Sequence, residues 1–139
     1  MKIYIRNTSK IYAEASSKPE GASTSFLDKT NFDDYNDVLE NPESYPNMSA
    51  EVVWLTPDEY IEHCADSKGI SVKDLHRKCI TKKLVQDYAK MMKSGTKFDM
   101  PYLKYNKNGR IDQDGQHRAL AAKANGDKFI PVVVVKDKL

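Results

Sequence analysis

Cysteine is scarce in this chain. Cys64 and Cys79 are its only two, too few for a disulfide framework, and reduced thiols in a cytoplasmic setting are expected. Long apolar runs are missing too: none approaches the ~20 residues of a membrane span, so no membrane partner is expected. The opening MKIYIRNTSK has no hydrophobic segment and no small-residue cleavage site, which sets aside a secretory signal. No internal repeat is visible. Histidine is rare as well. His63, Cys64, His76 and Cys79 match no zinc spacing, and adjacent helical residues point apart, so buried cysteines and surface histidines are expected rather than zinc.

What is present suits one soluble domain. The 139 residues are 40% hydrophobic and 30% charged, a globular balance. A net charge of +2 conceals a divided chain. Residues 1–65 carry five Lys/Arg against twelve Asp/Glu, whereas residues 66–139 carry seventeen against eight. A basic half suits phosphates, of a nucleotide or of nucleic acid. The plainer alternative folds the acidic part over the basic part or leaves the lysines solvated.

Alternating apolar positions predict a strand at residues 2–6, and Ser, Gly and Pro at residues 15–25 predict loop or disorder. One short helix fits before Pro42 in the acidic stretch 31–47. Val52–Leu55 reads as a buried strand, with Trp54 in the core. Thr56-Pro57-Asp58-Glu59 carries helix-start chemistry and Gly69 a stop. Ser71 caps a second short helix, over residues 72–79. Thr81 opens a third, whose Leu84, Val85, Tyr88, Met91 and Met92 recur at helical spacing before Gly95. Residues 101–106 and 110–113 form a hairpin about Lys107-Asn108-Gly109. A helix over 116–125 follows, then the apolar strand 129–135, expected to be central. The order predicts an α+β domain, a small mixed sheet flanked by helices. Residues 1–50 are read as an N-terminal strand plus a flexible acidic segment, and residues 51–139 as the main domain.

The stretch RIDQDGQHRALAAKANG, residues 110–126, carries the chemistry. A strand, Gly115 and a helix N-terminus converge backbone N–H groups and the helix dipole into an anion site. Glycine admits close approach, while Gln116, His117 and Arg118 stand on the first turn, the last with a fork suited to two phosphate oxygens. Asp112 and Asp114 are placed to hold Mg²⁺ bridging those phosphates. The competing reading has Asp114 cap the helix and pair with Arg118.

From about Glu51 to Val135 the chain resembles the ParB/sulfiredoxin superfamily. The resemblance rests on Gly115-Gln116-His117-Arg118-Ala119-Leu120-Ala121-Ala122, then Gly126 and Ile130-Pro131-Val132. Gly115, Arg118, Ala121 and Ala122 match the ParB pattern Gly-Glu-Arg-Arg-x-x-Ala-Ala. Gly115, His117 and Arg118 match the sulfiredoxin pattern Gly-Cys-His-Arg, and free serine kinases of the superfamily carry a similar Gly-His-His-Arg. The resemblance implies a ParB/sulfiredoxin-like fold with nucleotide phosphates at Gly115, His117 and Arg118, and Gln116 between them is a further ligand-binding candidate. It also brings the helix start at Thr81 and Lys82 toward the ligand. Gln116 replaces the sulfiredoxin cysteine nucleophile, which excludes sulfinic acid reduction at this turn, and it replaces the ParB glutamate of metal-assisted hydrolysis. The sequence ends at Leu139, before a ParB-type helix-turn-helix would begin, so full centromere binding is not expected.

These readings lead to a domain that binds a nucleotide or phosphorylated ligand at residues 112–118. Any turnover would be Mg²⁺-dependent phosphoryl transfer or hydrolysis, with Asp112, Asp114 and His117 as catalytic candidates. One rival is a ParB-like DNA-binding or nuclease accessory of a phage or mobile element, with Lys78, Lys82, Lys83, Lys90 and Lys93 as a phosphate track. The other is a non-catalytic interaction domain.

Overall fold

The computed structural model describes residues 18–138; the strand expected at residues 2–6 lies outside them. The elements are β1 (Phe26–Thr30), α1 (Asp33–Glu40), a 3₁₀ turn (Pro42–Ser44), β2 (Met48–Leu55) and α2 (Pro57–Lys68). There follow α3 (Val72–Cys79), α4 (Lys82–Lys93), β3 (Phe98–Met100), β4 (Tyr102–Tyr105), β5 (Ile111–Asp114), α5 (Gln116–Ala124) and β6 (Ile130–Asp137). This is an α+β fold.

The main sheet has the order β2-β6-β4-β5. β6 runs antiparallel to β2 and parallel to β4, while β4 and β5 form an antiparallel hairpin, so the sheet is mixed. The interior place of β6 follows from its sequence. Ile130, Val132 and Val134 face a core built with α2 and α5, and Val133 and Val135 face a second cluster with Tyr35 and Met100. A strand buried on both faces has no polar face to show, hence its unbroken apolar run. Lys104, buried in β4, has an outlet: its Nζ donates to Asn106 Oδ1 and to Asp137 Oδ1, each at 2.7 Å. Buried ammonium groups require such partners.

Local chemistry sets most boundaries. Thr56 accepts from the Glu59 amide while the Glu59 carboxylate accepts from the Thr56 amide, a complete capping box ahead of Pro57. Ser71 caps α3 through the Asp74 amide. Gly69 closes α2 in the left-handed region. The stretch 31–47 holds α1 as expected, and α1 turns Tyr35 and Val38 inward.

Three findings depart from expectation. β1 and β3 form a small parallel pair, too short and too charged to announce themselves locally. The segment 15–25, expected as loose loop, is pinned from Gly21 onward. Lys128 N donates to Gly21 O at 2.9 Å, Ser23 N donates to Phe129 O at 2.8 Å, and Ser23 is buried. Backbone pairing with the approach to β6 replaces the apolar burial that this segment lacks. The division expected at residue 50 falls inside β2.

Candidate functional site

The hairpin delivers Asp112, Gln113 and Asp114 to the end of β5, and Gly115 turns the chain into α5. Gly115 has φ of 131°, a conformation that side-chain-bearing residues rarely adopt. A Cβ placed there would stand 2.5 Å from Pro101 Cβ and 2.9 Å from Arg118 Nη2. On the side where a Cβ would stand, Gly115 packs against Pro101 and Arg118, while its backbone still borders the cleft described below. Glycine serves the turn's packing here.

Among the described residues no side chain caps α5, and its first turn holds no acid. The amides of residues 116–118 keep the partial positive charge of a helix start. Gln116 is buried and donates from Nε2 to Gln113 Oε1 at 3.0 Å. His117 Nε2 accepts from the Thr81 amide at 3.0 Å. That bond requires a neutral ring protonated on Nδ1, and burial accordingly lowers its pKa, against the opposing pull of Asp114. So Thr81 does reach the site, through its backbone. Lys82 does not: it lines a separate groove with Ile80, Val85 and Leu120.

Arg118 holds the centre. Its side chain is 12% exposed, and Nη2 lies 3.8 Å from Asp114 Oδ2. That distance exceeds a hydrogen bond, and Nη2 is buried without a hydrogen-bond partner among the described residues. Asp114 has a closer companion in Asn31, whose Nδ2 donates to its Oδ2 at 2.8 Å. Arg118, His117 and Asp114 line a cleft of about 490 Å³ together with Lys97 and Asp99. Asp112 is elsewhere: it accepts from Arg110 Nε at 3.2 Å and Asn106 Nδ2 at 3.1 Å, and lines a different cleft. The structure thus unites Asp114, Gly115, Gln116, His117 and Arg118 with Thr81 beside them, and leaves Asp112 and Lys82 outside. Sequence reasoning missed Asn31 and Lys97, which arrive from distant segments without a local signal. Among the described residues, no three His, Cys, Asp or Glu side chains converge as a metal group.

His63 departs from the expected surface histidine. It is fully buried on α2, with Nδ1 hydrogen-bonded to the Tyr105 hydroxyl at 2.9 Å. Burial holds its pKa down to about 3, from 6.5, so the fold carries it neutral. Its contribution is complete above pH 6.5 and is lost as pH falls from there toward 3, at about 1.4 kcal/mol per pH unit for one proton. Urea unfolding at pH 7 and pH 5 should show the gap between wild type and His63→Gln narrowing by up to ~2 kcal/mol at the lower pH. An equal gap at both pH values would refute the assignment. Cys64, adjacent and buried, has its thiol pushed up to about 12 by desolvation and is unreactive.

Comparison with protein-family models, with curated proteins and with solved structures gives no match to this chain.

Proposed function

We propose that this chain binds a phosphorylated small molecule, a nucleotide in the first place, in the cleft at the start of α5. The observation that carries this reading is Arg118, a nearly buried guanidinium whose inner nitrogen has no hydrogen-bond partner among the described residues and only a loose carboxylate neighbour. A guanidinium without a close counter-charge is costly to bury, and an anion in the cleft would supply that charge, held by the exposed part of the guanidinium with the helix-start amides of residues 116–118 and the nearby Lys97. The resemblance of the Gly115–Ala122 stretch to the ParB/sulfiredoxin superfamily supports the same reading. Mg²⁺ arriving with the phosphates would meet the carboxylates of Asp114 and Asp99, which share the cleft, rather than Asp112. Hard cations suit such oxygens, and the ion would supply charge neutralisation between phosphates.

Thermal denaturation with ATP, CTP, GTP or tripolyphosphate, with and without Mg²⁺, tests the proposal. A ligand at a hundred times its Kd adds about 2.7 kcal/mol to stability, enough for a rise of several degrees in Tm. No rise at millimolar concentrations of any of them would overturn it.

One observation favours a DNA-directed second reading. Lys78, Lys82, Lys83, Lys90 and Lys93 are all exposed along α3 and α4, and among the described residues Lys83 alone of the five is paired, to Asp87 at 3.2 Å. If this face binds DNA, Lys82→Ala with Lys83→Ala should flatten the plot of log affinity against log salt by about two units. Absence of DNA binding at low salt removes this reading.

A further inference from the structure

Phe32 is the one exposed aromatic ring among the described residues, 41% accessible. It occupies the N-cap of α1 and makes no capping bond there, where Ser, Thr, Asp or Asn would satisfy a free amide. The ring is nonetheless held firmly. It stacks on Tyr35 with centroids 4.3 Å apart, and Tyr102 meets it edge-on at 6.2 Å. These three rings line a second cleft of about 540 Å³, together with Arg110, Asp112 and Gln113.

Two hydrogen bonds join this cleft to the phosphate cleft. Asn31, immediately before Phe32, donates to Asp114, and Gln116 donates to Gln113. β5, an edge strand, borders one cleft with Asp112 and Gln113, which project from its opposite faces, and carries Asp114 to the other. Two residues along a strand cover about 7 Å, a step that one ribose bridges. The aromatic pair inside the phosphate cleft, Tyr88 and Phe98, is committed to itself at 4.8 Å and to the core.

We propose that the Phe32 cleft is the base subsite of a nucleotide whose phosphates lie at the start of α5. The base stacks on Phe32, and its edge meets Gln113 and Asp112. Gln113 spends its Oε1 on Gln116 and keeps its own amide N–H groups to donate. Each Asp112 oxygen retains a lone pair beyond the one it uses, which selects a base with an exocyclic amino group. This inference rests on the phosphate reading above.

Calorimetric titration of the whole chain with CTP, ATP and tripolyphosphate separates the two. Stacking on one ring should make a nucleotide bind about tenfold or more tighter than tripolyphosphate. Phe32→Leu should erase that advantage and leave tripolyphosphate binding unchanged, while Phe32→Tyr keeps it. Gln113→Ala should weaken the nucleotides alone. Equal affinity of wild type for nucleotides and tripolyphosphate, or an unchanged ratio in Phe32→Leu, overturns the base subsite with the phosphate site intact. Failure of wild type to bind any of the three overturns both.

Discussion

Arg118→Gln should weaken nucleotide and tripolyphosphate binding by about one to two decades while leaving the fold in place. A charge-assisted contact to a phosphate contributes ~1.5–3 kcal/mol, and glutamine keeps the length of the side chain without the charge or the fork. Stability should move by no more than ~1 kcal/mol, because the Asp114 partner is distant and half-exposed and the substitution also removes an unsatisfied donor. Titration calorimetry and urea denaturation on the one variant measure both quantities. If affinity is unchanged and stability falls, Arg118 is the partner of Asp114 and the phosphate assignment loses its central residue.

Gly115→Ala should be the most damaging single methyl in the molecule. Two costs add at that position. The φ of 131° lies outside the regions open to alanine, a strain of ~1–3 kcal/mol. The new Cβ would stand 2.5 Å from Pro101 Cβ and 2.8 Å from its Cα, and neither a proline ring nor backbone gives way, an overpacking cost of another ~1–3 kcal/mol. Together these consume much of the ~5–15 kcal/mol that holds an ordinary domain. Gly109→Ala is the control. It has φ of 89° with no atom within 4 Å of the added Cβ, so it carries strain alone. Equal losses in the two variants, measured by urea midpoint, would show that the Pro101 contact yields.

The parts of the fold legible in the sequence were those written by near neighbours. Thr56 to Glu59 spells a capping box within four residues, Asn108-Gly109 a hairpin turn, and Gly115 the start of α5. The run at residues 129–135 announced a strand covered on both faces. What escaped was written by residues far apart. β1 and β3 exist because they pair with each other, and the segment from Gly21 is fixed by Lys128 and Phe129. The same limit divides the site. Arg118, His117 and Gln116 follow from one helix start, whereas Asp112 and Asp114, two residues apart on β5, are claimed by different partners. Asp112 goes to Asn106 and Arg110, and Asp114 to Asn31, which spacing alone cannot foresee. His63 escapes a local reading because a histidine in a mixed helix looks solvated, and its partner Tyr105 lies 42 residues away in sequence.

The position of β6 also sets when the molecule can assemble. Its residues are the last of the sheet to leave the ribosome, yet they form the strand between β2 and β4. Until residue 137 has been made, β2 lacks its neighbour and the α5 layer has no sheet to rest on. Contacts joining such distant segments form late and slowly. A nascent chain halted before residue 129 should therefore be held open, presenting Val52–Leu55 to chaperones and proteases. The site at α5 completes itself only once β6 has been made, because the strand beneath it lies later in the chain than the helix it supports.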